Sequence, residues 1–442
     1  MNRIFAYILL FTCIGSGSYS QKADLNSAGP LHRAQQALTD ILVHDIFSPP
    51  VASRIYAYSN IAAYEVFSNT IGGSPSLHRA YKKFPDLSFI KSNKKISPSL
   101  ASVYAFLVTA KNYIFSEKRL EDSIQLILQY YKKNIPDAQV YKNSLLAGKQ
   151  IADSIISWSS KDGYRRTRSL RRYTYKKEAG KWIPTPPAYM AAVEPYWGQM
   201  RPMIMDSASQ FKPSAPPPYM ADTSGIFYRQ VMEVYSTGRS LSKEQRDIAL
   251  FWDCNPFFVN TSGHLVFATK KLSPGGHWIS IAAIACRKTG KDIAETAKVY
   301  MLTSLALYDG FISCWDEKFR SNFIRPETVI NSMVDENWRP LLQTPPFPEY
   351  TSGHSVISTS AAFVLSSLFG EEFGYIDSTE TSYGLPTRDF TSFNQAANEA
   401  AISRLYGGIH FREAIVNGQE QGRRIGGLIV QQLQEIIDSS RK

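Results

Sequence analysis

Apolar residues recur at intervals of three and four along most of the chain, and runs that alternate at every second position are scarce, so the pattern predicts an all-α protein. Leu120, Ile124, Ile127, Leu128 and Tyr131 share one helical face, and Ile425, Leu428, Ile429, Leu433 and Ile436 form another near the C-terminus. Ser48-Pro49-Pro50 is expected to separate two helices, because proline lacks an amide donor and restricts the residue before it. From Tyr164 to about Tyr219 the periodicity lapses. That stretch is rich in Tyr, Pro, Arg and Met and ends in a proline run at Pro218, so it reads as an extended connection. Helical patterning resumes near Gly225. These breaks divide the chain into residues 1–20, an N-terminal helical half over 21–218 that includes the connection, and a C-terminal helical bundle over 219–442. No short internal repeat is visible.

With 442 residues, 44% hydrophobic and 20% charged, the chain can bury one large core or two smaller ones, and disorder is excluded as the default. The first twenty residues read as a secretory leader: Arg3, an apolar run from Ile4 to Cys13, and small residues at Ser18-Tyr19-Ser20. The apolar run is shorter than the roughly twenty residues that span a bilayer. The expectation is an exported bacterial protein, periplasmic or extracellular, that starts near Gln21 and has no stable membrane anchor. Cys254, Cys286 and Cys314 remain after cleavage, an odd number with no zinc-like spacing. They read as small buried apolar residues, with oxidation of one pair left open. The net charge of +11 favours anions. Part of it lies in Arg165, Arg166, Arg168, Arg171, Arg172, Lys176 and Lys177, which read as a solvated basic loop rather than a nucleic-acid site.

Three blocks in the second half suggest where an anion binds. The first joins Trp315-Asp316 to Lys318 and, seven residues on, Arg325-Pro326. Arg325 precedes a proline and is biased toward extended backbone, so the lysine is placed near a helix end and the arginine in the turn after it. The second runs from Phe347 through Thr351-Ser352-Gly353-His354 into an apolar helix that stops at Gly370. A helix start carrying a hydroxyl, a glycine amide and a histidine suits an oxyanion, because its free N–H groups lie at the positive end of the dipole. Thr261-Ser262-Gly263-His264 repeats the four residues, but no long apolar helix follows it, and it reads as a decoy. The third block is Ser403-Arg404 and Gly407-Gly408 before His410, entered through a capping box at Ser392 and Gln395. The two glycines are expected to interrupt the helix so that Arg404 and His410 turn toward one pocket.

A lysine, six residues, Arg-Pro; then Ser-Gly-His; then Ser-Arg, five residues, His: in this order the blocks resemble the superfamily of vanadium-dependent haloperoxidases and type-2 phosphatidic acid phosphatases. The resemblance covers residues 315–410. It implies a vanadate cofactor whose oxygens are held by Lys318, Arg325 and Arg404, with further hydrogen bonds from Ser352 and the Gly353 amide. His410 would be the direct metal ligand and His354 the acid and base. Hydrogen peroxide and a halide would be the partners, with Lys318 polarising the peroxide.

The same pocket serves phosphatases of the superfamily, so the alternative is an exported acid phosphatase in which His410 becomes phosphorylated. A noncatalytic oxyanion-binding protein ranks below both. Trp315 and Phe347 resemble aromatic positions on the halide side of the peroxidases, and the arrangement is most like bacterial iodoperoxidases, which implies iodide first and bromide second. Where the superfamily often has an aspartate four residues after the last histidine, this chain has Ala414. Glu413 or a main-chain carbonyl is then expected to orient His410.

Overall fold

The computed structural model describes residues 24–440 apart from 71–74, 82–83, 89–93, 221, 257, 263–264 and 269. The proposed leader and His264 of the decoy copy lie outside the described residues. The helices are α1 (Gly29–His44), α2 (Pro49–Thr70), α3 (Leu77–Ala80), α4 (Pro98–Lys111), α5 (Glu117–Asn134), α6 (Ala138–Ser159), α7 (Tyr164–Ser169), α8 (Ile226–Arg239), α9 (Lys243–Phe251), α10 (Pro274–Thr289), α11 (Ile293–Ser321), α12 (Pro326–Met333), α13 (Gly353–Phe369), α14 (Phe393–Tyr406) and α15 (Arg412–Ser440). Two small antiparallel hairpins interrupt them: β1 (Val259–Ser262) with β2 (Leu265–Ala268), and β3 (Tyr375–Asp377) with β4 (Arg388–Phe390). Thr261 and Ser262 of the decoy are therefore strand residues, unlike Ser352, which caps a helix.

Pro49 and Pro50 open α2 rather than lying between helices. The first-turn N–H groups of a helix have no intrahelical partner, so a proline there removes nothing. Helix α2 is buried around nearly its whole circumference, as is α11 from Ile293 to Lys318, and these two helices pack against each other. Helices α4 and α6 complete the surroundings of α2, and α13 and α15 those of α11. One apolar cluster runs from Leu31 through both halves to Ile429. Of the predicted faces, Leu120, Ile127 and Tyr131 of α5 are buried in it with Ile124 and Leu128 against them, and so are Ile425 and Ile429 of α15 with Leu428 against them, while the side chains of Leu433 and Ile436 lie outside those described.

The connection after α6 has little regular structure beyond α7 and a 3₁₀ turn at Trp197–Gln199, yet it is well anchored. Asp309, buried in α11, accepts N–H groups from Met203 at 2.7 Å, Ile204 at 2.8 Å and Met205 at 3.0 Å. Trp182 N–H donates to the Asn322 carbonyl and Ile324 N–H to Gly180, which clips the connection to the first motif block. The arginines and lysines at its start are exposed, as a solvated loop requires.

Helix α15 lies unusually close to α13. A Cβ added at Gly422 would stand 2.2 Å from the Val356 carbonyl oxygen, and one at Gly426 2.9 Å from that of Ser360. The spacing of four puts both positions on the face that meets α13, and any side chain there would force the helices apart. That contact sets where the start of α13 stands relative to the third block.

Candidate active site

Helix α11 ends where Asn322 adopts left-handed backbone, φ 49°, which places Lys318 in its last turn. The ammonium is fully buried and donates to the carbonyls of Pro348 at 2.9 Å, Glu349 at 3.0 Å and Thr351 at 2.6 Å. It thereby ties the helix end to the loop that enters α13. Arg325 has the extended geometry that a following proline imposes, φ −83° and ψ 149°, and caps α12. Its Nε donates to the Phe347 carbonyl at 2.9 Å and its Nη1 to that of Ile409 at 2.8 Å. Nη2 is buried and has no partner.

Ser352 caps α13: its Oγ accepts the Ser355 N–H at 3.3 Å, while Thr351 Oγ1 donates to Gln421 Oε1 at 2.7 Å. Gly353 and His354 follow in the first turn. The His354 ring is hydrogen-bonded to the Trp252 carbonyl, and its Nε2 has no partner. The bond to a carbonyl puts the proton on Nδ1 and leaves the Nε2 lone pair facing the pocket.

Helix α14 is capped by Ser392, but the Gln395 side chain accepts from Thr391 rather than closing the expected box. It stops at Tyr406, and Gly408 turns the chain with φ +76°. Arg404, buried in the last helical turn, donates to Ser403 Oγ at 2.9 Å and to the Trp252 carbonyl at 2.6 Å. His410, beyond the turn, has Nδ1 2.8 Å from Glu349 Oε1 and Nε2 3.2 Å from Arg325 Nη1.

That contact corrects the sequence reading. Glu413 accepts instead from Gln230 Nε2 at 2.7 Å, and the residue that orients His410 is Glu349, whose Oε1 also accepts the Phe411 N–H at 2.9 Å. Glu349 stands three residues before Ser352, inside the quoted second block, and an acid so close to the motif was the available signal. Nothing in the spacing links it to a histidine 61 positions away.

The three blocks meet at one pocket, lined in part by Trp315, Phe347, Gly353, His354, Arg404 and His410. Trp315 donates Nε1–H to the Val193 carbonyl at 3.1 Å and packs on Phe347 at 4.9 Å between ring centroids.

The model of the VCPO second helical-bundle domain matches residues 298–439. The structure of the first bacterial vanadium-dependent iodoperoxidase is 46% identical, over 92% of this chain and 97% of that one, with a TM-score of 0.85. The chain belongs to the vanadium-dependent haloperoxidase family. A holo-type bacterial vanadium-dependent chloroperoxidase shares the fold at 15% identity, over 94% of this chain and 100% of that one, with a TM-score of 0.73. The apo-type structure gives 14%, 88%, 95% and 0.66 for the same measures. No curated protein matches.

Charge around this pocket of the haloperoxidase is unbalanced toward positive. Burial lowers Arg325 and Arg404 to about 10, which leaves both charged at neutral pH. Burial lowers Lys318 to about 7 and raises Glu349 to about 7. Both histidines are held well below their ordinary value, first by burial and then by the neighbouring arginines, so they are neutral bases. Asp253, also on the pocket wall, is paired with Lys271. Three buried cationic side chains, an unpartnered guanidinium N–H and two neutral imidazoles fit an oxyanion such as vanadate.

Proposed function

We propose that this chain is a vanadate-dependent haloperoxidase that converts hydrogen peroxide, a halide ion and a proton into hypohalous acid and water, with iodide preferred. The observation that carries the site assignment is the state of His410. Glu349 holds its Nδ1–H, so Nε2 carries the lone pair, which accepts from Arg325 Nη1 at 3.2 Å and is the atom that would ligate vanadium. Bound vanadate supplies a Lewis-acid centre that activates peroxide without changing its own oxidation state.

The chain's own residues then have distinct tasks. Arg325 and Arg404 neutralise the oxyanion, with the free Arg325 Nη2 as one donor, and the Ser352 hydroxyl and Gly353 N–H add hydrogen bonds at the start of α13. Lys318 contributes charge, polarising peroxide in the site, from a position fixed by three carbonyls. His354, with its Nε2 buried and unpartnered, would serve as the acid and base of the reaction. Trp315 and Phe347 form an apolar wall that suits iodide, the least costly of the common halides to desolvate and the easiest to oxidise. The apolar leader pattern over residues 1–20 supports export. Among the described residues no helix is long and apolar enough to cross a membrane.

The deciding experiment is steady-state turnover of vanadate-loaded protein with peroxide and each halide. Iodide should be oxidised fastest, bromide weakly and chloride not detectably. Chloride turnover equal to that with iodide would remove the halide assignment. Hydrolysis of phosphate esters without halide oxidation would move the site to the phosphatase reading.

Glu349→Ala should weaken vanadate binding by about 10- to 100-fold, the usual cost of losing the group that orients a metal-ligating histidine. Glu349→Gln keeps an acceptor for Nδ1–H and should recover most of the loss. Calorimetric titration measures both, and wild-type affinity in the alanine variant would remove Glu349 from this role.

Vanadate affinity should also fall as pH rises from about 6 to about 8. Lys318 loses its positive charge and Glu349 gains a negative one as each passes its value of about 7, so the pocket becomes less attractive to anions. Vanadate itself becomes more anionic over this range and works in the opposite direction. A measured affinity that increases with pH would contradict the charge assignment.

A further inference from the structure

Beside the oxyanion pocket, three segments bring together side chains of the kinds that ligate metals. Cys254 follows α9, His277 lies in the first turn of α10, and Glu380 precedes the 3₁₀ turn Thr381–Tyr383. His277 Nδ1 is 3.4 Å from Cys254 Sγ and 3.2 Å from Glu380 Oε1, and Sγ is 3.8 Å from the same Oε1. All three residues are buried. Among the described residues no other group of three His, Cys, Asp or Glu side chains brings its ligand atoms so close.

The far side of the His277 ring is engaged as well. Its Nε2 lies 2.8 Å from Asp377 Oδ2 and 2.7 Å from Thr379 Oγ1, and Asp377 Oδ1 accepts the Thr379 N–H at 2.9 Å. Burial works against a charged ring, but Asp377 on Nε2 outweighs it and holds His277 well above its ordinary value, so Nδ1 carries a proton directed at the thiol and the Glu380 oxygen. A metal ion at this point would take the place of that proton.

We propose that Cys254, His277 and Glu380 bind a divalent metal ion of zinc's class, separate from vanadate, with Asp377 orienting the histidine. Thiolate, imidazole and carboxylate are the ligand types zinc takes, and its usual bond lengths put tetrahedral neighbours about 3.4 to 3.6 Å apart. The observed separations fall within a few tenths of an ångström of that. A carboxylate behind the ligating histidine is the expected outer partner. On binding, the thiol proton and the Nδ1 proton are released to solvent, and the sulfur and Nδ1 bond the metal. Cys254 also lines the oxyanion pocket, and a water would complete the coordination.

The ion would brace one wall of that pocket. The Trp252 ring stacks on His277 at 4.5 Å, and the carbonyl of the same tryptophan holds Arg404 and His354. Cys254 and His277 are 23 positions apart and His277 and Asp377 100 apart, so no spacing motif reveals the cluster.

The test uses the full chain, stripped with a chelator and titrated with Co²⁺. One equivalent should bind with thiolate-to-cobalt absorption in the near ultraviolet. Cys254→Ser, nearly isosteric, should lose that band while remaining folded by circular dichroism. Glu380→Gln should keep the band but bind at least tenfold more weakly. Zn²⁺ should raise the Tm of stripped wild type and leave that of Cys254→Ser unchanged. A folded, stripped protein that shows neither the band nor a Zn²⁺-dependent Tm would overturn the proposal and leave a buried ion-paired histidine. Equal affinity in wild type and Glu380→Gln would overturn the three-ligand assignment.

Discussion

His410→Ala is expected to abolish vanadate binding and, with it, halide oxidation. Of the two histidines on the pocket wall, His410 is the one whose Nδ1–H is held by a carboxylate, at 2.8 Å from Glu349, and whose Nε2 lies against the Arg325 guanidinium. The neighbouring groups are otherwise engaged: Arg325 and Arg404 are donors only, Lys318 is held by three carbonyls, Asp253 is paired with Lys271, and His354 is held through Trp252 on another segment. The fold should survive. Glu349 Oε1 keeps the Phe411 N–H at 2.9 Å, and the Gly407-Gly408 turn before position 410 does not depend on the imidazole. Vanadate titration by calorimetry, with circular dichroism as the control for folding, measures the outcome. A folded variant that binds vanadate as tightly as wild type would exclude His410 as the ligand.

His354→Ala should do the reverse: retain vanadate binding and lose most turnover, by roughly 10² to 10⁴, the usual worth of a positioned acid or base. Its Nε2 is a buried pocket nitrogen without a protein partner, and burial, Arg404 and His277 together hold the ring well below its ordinary protonation range. A neutral ring cannot contribute charge to oxyanion binding, so its removal costs few of the attractive contacts. Kcat measured at saturating vanadate separates the two roles. Equal loss of vanadate affinity in both variants would contradict this division of labour.

Much of this was readable along the chain. Lys318 near a helix end, Arg325 extended before Pro326, Ser352 capping a helix that stops at Gly370, and Gly408 turning the chain before His410 are all local consequences of backbone chemistry. Each depends on a residue's own dihedral preferences or on a partner within a few positions, which is why sequence order suffices to place them. The helical faces of α5 and α15 were legible for the same reason, since a period near 3.6 is a property of consecutive residues.

Other features depend on groups far apart in sequence. The partner of His410 is an example: Glu413 lies nearer in the chain, but α15 points it to Gln230, and the buried carboxylate that reaches the imidazole is Glu349. The Gly422 and Gly426 contacts with α13 and the cluster of Cys254, His277 and Glu380 likewise join distant segments. The sequence by itself determined the helices, their caps and turns, and the set of charged and imidazole groups offered to an anion. Only the tertiary structure decided which carboxylate orients which histidine, because that choice depends on how closely packed helices approach, and burial then sets the cost of leaving any of those groups unpaired.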